Sequence, residues 1–410
     1  MLSSYSRRNR RALALDSLKW LGLAGAVGVL SGSASAFFLV SLDALTQWRI
    51  ANPLVVLLLP LAGVALGYAY WRYGATSSRG NALVIEEIHE NKARVPSRMA
   101  FFVLVGTLIT HLFGGSAGRE GTAVQMGASL ADSVRRVLGI NGNDRRLLLM
   151  AGVSAGFASV FGTPMAGFVF AMEVQSVGRV RYEGLLPCLI GALVGDLTTR
   201  AWGVGHSHYP ALPHLELSAL MLGKVFLAGI VFGLASMAFV LWLEWVKEAL
   251  THRVRTPYLR PFVGGVVVVV GAWLLQTQDY LGLSLPLLKA SVNGESVFAF
   301  AFALKLILTG ITLGAGFVGG EVTPLFVVGA TLGATLSPLL GVEQGLLASV
   351  GFVAVFAGAS NTPLACTLMG IELFGGGGAL YILVGCFVAY FVSGHRSIYS
   401  TQRLDTPKVF

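Results

Sequence analysis

The stretch Gly114-Gly115-Ser116-Ala117-Gly118-Arg119-Glu120-Gly121-Thr122 begins where the apolar run 99–114 breaks off. The helix-compatible Ala123-Val124-Gln125-Met126 follows it. Glycines ahead of a helix let backbone N–H groups point into a cavity, and the helix N-terminus adds positive partial charge. The stretch therefore reads as an anion site. A second copy, Gly319-Gly320-Glu321-Val322-Thr323, precedes Pro324. Here Thr323 reads as an N-cap and Pro324 as the first helical residue. Either segment alone reads equally well as a place for close helix packing. Duplication favours the anion site, because two helix N-termini can converge on one ion.

The duplication extends downstream. Thr163-Pro164-Met165-Ala166, followed by Glu173-Val174, returns as Thr362-Pro363-Leu364-Ala365, followed by Glu372-Leu373. Internal symmetry of this kind marks transporters built from repeats, with the site at the repeat interface.

The rest of the chain agrees with a membrane setting. Charged residues make up 12% of the 410, about half the usual share of roughly 25%. The apolar share is 55%, and the 52 glycines suit closely packed membrane helices. The fold class is all-α and polytopic. Apolar segments lie at about 20–48, 52–73, 99–114, 147–172, 184–202, 218–247, 261–276, 296–318, 345–358 and 377–392. Some match a full span of ~20 residues; others are short or cut by glycine and proline. Broken backbone at membrane depth needs protein or a polar cavity around it, which points to a buried site. The least hydrophobic stretch, 203–217, holds His206, His208, Pro210, Pro213 and His214 and reads as an extramembrane connection with solvated histidines. The organisation is a basic tail at 1–16, a first membrane repeat at 17–202, a second at 218–399 and a tail at 400–410.

Leu21 to Leu30 followed by Ala34-Ser35-Ala36 imitates a secretory signal, but the apolar run continues through Phe37-Phe38-Leu39-Val40 and is kept as the first helix. Basic residues, including Arg7, Arg8, Arg10 and Arg11, fall between apolar runs, so the net charge of +9 reads as membrane orientation with a cytoplasmic N-terminus. No nucleic-acid partner is implied. The chain lacks a phosphate-binding Gly-x-x-x-x-Gly-Lys-Ser/Thr run and any Ser/His/Asp or His/Cys constellation. No nucleotide, metal, cofactor or enzymatic activity is expected. Cys188, Cys366 and Cys386 read as small core residues.

A carboxylate within a bilayer is a functional hypothesis by default. Glu120 and Glu321 lie in the two anion loops, where each can compete with the anion or carry a proton. A capping role is the alternative, and Thr122 and Thr323 can supply that acceptor instead. Glu173 and Glu372 end apolar helices and read as interfacial, structural carboxylates. Lys305 is expected to snorkel or to pair with a carboxylate. His111 reads as a hydrogen-bonded helix residue, and Tyr399 as an interfacial aromatic.

At these residues the sequence resembles the CLC family of chloride channels and anion/proton antiporters, from about residue 17 to Tyr399. The resemblance makes Glu120, in Gly118-Arg119-Glu120-Gly121-Thr122, the gate. It sets Gly320-Glu321-Val322-Thr323-Pro324 against the family's second-half motif, and loosely matches Gly80-Asn81-Ala82-Leu83-Val84 to the segment whose serine contacts the central anion. Tyr399 resembles the pore tyrosine. The implied anion-binding set is Asn81, Gly118, Arg119, Gly121, Gly320, Val322, Thr323 and Tyr399. The implied fold is a homodimer with one pore per subunit, each built from two inverted halves of tilted, broken and partial helices.

The departures from the family pattern point one way. Threonine ends the gate motif, asparagine replaces the anion-contacting serine, and Glu-Val-Thr-Pro stands in the second half. These are features of the fluoride-exporting branch. Val174 occupies the usual internal proton-transfer position, and Glu321 can take over part of that task. Fluoride is small and strongly hydrated, so its site needs close, strong donors. Backbone N–H groups near Glu321 and Val322, the Asn81 amide and the Tyr399 hydroxyl can supply them. The resemblance thus implies a fluoride/proton antiporter of a bacterial plasma membrane, exporting fluoride as protons enter. A chloride/proton antiporter and a passive anion channel are the alternatives. No cytosolic nucleotide-sensing domain is expected after Tyr399.

Overall fold

A computed structural model describes residues 2–92 and 94–408, with side chains from residue 14 onward. The first half contains α1 (Leu2–Ala51), α2 (Leu59–Ala69), α3 (Gly80–Glu90), α4 (Arg98–Leu112), α5 (Glu120–Leu138), α6 (Asn143–Phe161), α7 (Pro164–Glu173) and α8 (Leu185–Ala201). The second contains α9 (Ala219–Arg253), α10 (Arg260–Leu275), α11 (Leu285–Val292), α12 (Ala301–Gly314), α13 (Val322–Leu340), α14 (Gln344–Ser360), α15 (Pro363–Phe374) and α16 (Ala379–Val392). Each half thus supplies eight α-helices among the described residues, and the equivalent α5 and α13 are 19 residues each.

No glycine or proline interrupts residues 2–21, so the basic N-terminal segment continues into the first helix without a break. At 1.5 Å per residue, the 50 residues of α1 extend about 75 Å, far beyond a hydrocarbon thickness of about 30 Å. The helix must tilt, project, or both.

The apolar segment 147–172 is two helices. Gly162, at φ +71, closes α6 in the left-handed conformation, and Pro164 opens α7 with its fixed φ. The second half repeats the device: Asn361 ends α14 at φ +59, and Pro363 opens α15. Between α5 and α6 the backbones touch. A Cβ on Gly127 would lie 2.1 Å from the Gly152 carbonyl oxygen, and one on Gly329, between α13 and α14, 1.9 Å from that of Gly351. Glycine at these positions is a packing requirement.

The matched carboxylates Glu173 and Glu372 are structural in a specific way. Glu173, at the end of α7, accepts from the backbone N–H groups of Leu364 (3.1 Å) and Ala365 (2.8 Å) at the start of α15. Glu372, within the last turn of α15, accepts from Met165 (2.9 Å) and Ala166 (2.8 Å) at the start of α7. Each helix caps the other. Neither threonine ahead of the prolines makes a side-chain cap, so the acceptor comes from across the repeat. Glu173 is 6% exposed and therefore buried, not interfacial as its position at a helix end suggested.

Two further expectations are corrected. Lys305 neither snorkels nor pairs with a carboxylate: it is fully buried and donates to Tyr280 O (3.2 Å), Gly282 O (2.7 Å) and Ser284 Oγ (2.9 Å). His206 is not solvated. Its Nε2 lies 2.9 Å from Ser159 O, and the ring packs against Gly162. The connection that carries it is stitched to the second half as well, through Leu212 N to Phe374 O (2.7 Å) and Leu215 N to Gly377 O (3.2 Å).

Candidate ion-binding site

The segment between α4 and α5 is held from both halves. Ser116 bonds through Oγ to Tyr280 O and Thr309, and its N–H donates to Thr312 Oγ1. His111 lies between Thr107 O (2.9 Å) and Ala117 O (3.1 Å), the hydrogen-bonded role read from the sequence. The loop is thereby aimed at its repeat mate. Gly118 and Gly320 form an isolated antiparallel bridge, with Gly118 N–H donating to Gly320 O (2.6 Å) and Gly320 N–H to Gly118 O (2.8 Å).

That bridge sets the starts of α5 and α13 side by side. A Cβ on Gly320 would lie 2.9 Å from Gly121 N, 3.3 Å from Glu120 N and 3.4 Å from Arg119 N. The backbone nitrogens at the start of α5 crowd onto one glycine, and any side chain there would fill the space in front of them. The two helix N-termini expected to converge do so.

Glu120 is 1% exposed. Its Oε2 accepts from Arg119 N (3.1 Å) and Thr323 N (3.1 Å), its Oε1 accepts from the Thr323 hydroxyl (2.5 Å), and Arg119 Nε stands 3.5 Å away. The carboxylate sits where an anion would bind at the α13 N-terminus. Thr323 is accordingly no N-cap. The helix starts two residues earlier than expected, at Val322, with Glu321 in the capping position and no side-chain cap bond. Pro324 falls in the first turn, where an N–H has no intrahelical partner to lose, and Glu120 supplies the acceptor from across the repeat. Thr122 caps nothing either; its hydroxyl meets that of Thr107 at 2.6 Å.

Glu321 and Asn81 converge on the opposite side. Asn81 lies in the first turn of α3. A Cβ on Gly121 would be 3.1 Å from Asn81 Nδ2 and 3.6 Å from Glu321 Oε2. Both Glu321 Oε2 and Asn81 Oδ1 are buried without a hydrogen-bond partner among the described residues. Unsatisfied polar atoms at this depth call for a ligand, a proton or water.

Tyr399 is 5% exposed and buried, not interfacial. It packs edge-on against Phe170, which stacks with Phe157 and Phe356; Phe356 meets Phe326 edge-on. Phe326 lines a cavity of about 20 Å³ beside Glu120, with Arg119 and Thr323 in its wall, enough for one water-sized particle. An aromatic column therefore connects Tyr399 to the carboxylate chamber. Ser207 and Tyr209 also line that chamber, and neither was singled out in the sequence. Their stretch reads only as a polar connection, and nothing in its pattern says that it folds back.

Two inverted eight-helix halves, broken around buried carboxylates and converging helix N-termini, define a repeat-built membrane transporter. The family comparison makes the class specific: the chain belongs to the CLC family, the voltage gated chloride channel model matching residues 62–394. It is 47% identical, over 97% of its length and 90% of the relative, to a "Chloride/fluoride channel protein" of Pseudomonas syringae pv. tomato. Among solved structures, a CLC-type fluoride/proton antiporter superimposes with a TM-score of 0.92 at 36% identity, covering 95% of this chain and 98% of that one. A slow cyanobacterial Cl-/H+ antiporter shares the fold, with a TM-score of 0.80 at 22% identity and coverage of 91% and 94%.

Proposed function

We propose that the protein is a fluoride/proton antiporter that exports fluoride from the cytosol as protons enter. The observation that carries this reading is the Glu120 carboxylate, held by the α13 N-terminus and Thr323 in the position of an anion. An ionised Glu120 occupies these donors. Protonation removes its negative charge and frees them for fluoride, so one site handles both ions in alternation. Glu321, with an unpartnered oxygen near Asn81, is the second proton-binding group. Protonated, it donates an O–H to fluoride; ionised, it repels the ion. Asn81, Gly118, Arg119, Gly121, Gly320, Val322, Thr323 and Tyr399 complete the path.

Hydrogen fluoride is a weak acid whose neutral form crosses bilayers, so fluoride accumulates where pH is higher. Proton-coupled export answers that accumulation. The similarity to a fluoride/proton antiporter supports the reading, the basic N-terminal segment supports a cytoplasmic N-terminus, and the similarity to a Pseudomonas protein supports a bacterial plasma membrane. A homodimer with one pore per subunit follows from the family resemblance.

Proteoliposome efflux recorded with a fluoride electrode and a pH electrode tests the proposal. Wild-type protein should move protons against fluoride, and Glu120→Gln should abolish the proton movement. Intact proton-coupled exchange in Glu120→Gln would remove Glu120 from the mechanism. Proton movement driven equally by chloride would favour the chloride antiporter, and fluoride flux without protons the passive channel.

A further inference from the structure

Near its C-terminal end, α1 carries a buried guanidinium, that of Arg49. Arg49 is 5% exposed, yet its Nε and Nη1 have no hydrogen-bond partner, and no carboxylate among the described residues lies within ion-pair distance of it. It lines a cavity of about 980 Å³. Its Nη2 lies against Gly282, 3.4 Å from where a Cβ would stand, and the Gly282 carbonyl accepts from the buried Lys305 Nζ at 2.7 Å. Lys305 Nζ meets only neutral oxygens, so Arg49 and Lys305 approach one residue from two sides with no carboxylate beside either among the described residues. Asp43 and Asp279 also line the cavity, but both are exposed at its walls and neither pairs with Arg49. A buried guanidinium with no counter-charge is costly unless an anion reaches it.

Arg119 ties this cavity to the transport path, because it lines both this cavity and the chamber holding Glu120. We propose that Arg49, with Lys305 behind it and Arg119 between it and Glu120, binds a small monovalent anion and serves as a docking station for the ion beyond the gate. The assignment of fluoride as that ion rests on the function proposed above. With a cytoplasmic N-terminus and a single crossing of α1, the station faces the outside. It collects the ion that Glu120 releases and retains it outside the gate.

The test is inward and outward fluoride transport by Arg49→Gln in vesicles of zwitterionic lipid, and again with anionic lipid added. The half-saturating fluoride concentration should rise at least about fivefold on the side that Arg49 faces, and stay unchanged on the opposite side. Arg49→Lys should restore most of the affinity. Arg49→Gln should melt no earlier than wild type, since it removes an unpaired buried charge. Equal shifts on both sides, or no shift, would overturn the station. An effect that appears only with anionic lipid would overturn it too, by identifying the bound group as a lipid phosphate. Crystals grown in bromide give an independent check, which holds even if wild-type protein moves no fluoride. Anomalous density is expected at the Arg49 guanidinium, and its absence there would sink the site.

Discussion

Glu120 and Glu321 are equivalent in the repeat but not in their surroundings. Glu120 has three donors on its two oxygens, whereas Glu321 keeps a buried oxygen without any. The asymmetry suits a division of labour in which Glu120 acts as an anion surrogate and Glu321 as a proton carrier. Glu321 stands at the N-cap of α13 without making a side-chain cap bond, so removing its charge should cost little stability, about 1 kcal/mol or less. Glutamine keeps an oxygen and a donor but cannot titrate. Glu321→Gln is therefore expected to fold and insert normally while losing most of its fluoride-driven proton movement and much of its pH dependence. Melting and transport measured on the same preparation decide the matter. A variant that transports normally but melts earlier would return Glu321 to a capping role.

At the scale of elements, the reciprocal capping of α7 and α15 makes a prediction of its own. Each carboxylate satisfies two helix N-terminal donors, and glutamine can satisfy only one of them through its oxygen while its NH2 faces the other. Glu173→Gln should lose about 1–3 kcal/mol of stability, and Glu372→Gln less, because it is only half-buried. Thermal unfolding measures both. Unchanged melting together with lost proton coupling would make these residues proton carriers instead. The repeated Thr-Pro-x-Ala-to-Glu spacing was legible in the sequence, as were the broken helices and the two anion loops. The partner of each carboxylate was not, because both pairs join residues about 190 to 210 positions apart. The same limit hid the Thr323–Glu120 bond, which moved the start of α13, and the neutral cage around Lys305. Composition and spacing report which groups are costly to bury. They do not report which distant group relieves the cost.

Over the whole molecule, the segment between the halves ties them together and walls the chamber. His206 holds it to the end of α6, its backbone bonds to α15 and beyond, and Ser207 and Tyr209 face Glu120. Burial lowers the His206 pKa below its ordinary value, against the pull of the Ser159 carbonyl and of Asp196 4.0 Å away; Arg200 and Arg119 add to the lowering. The folded protein therefore binds this proton more weakly than the unfolded chain does. The resulting contribution to stability is complete above the unfolded value of about 6.5 and is lost as pH falls below it through the folded value. Acid should thus loosen this segment where it covers the Glu120 chamber. Glutamine can still donate to Ser159 O but does not titrate. Between pH 7 and pH 5 the wild-type melting temperature should fall more steeply than that of His206→Gln, and opening of the segment, followed by amide hydrogen exchange at residues 204–209, should rise with acid only in the wild type. Parallel melting curves and equal exchange in the two proteins would show that His206 stays neutral throughout and that the segment does not sense pH.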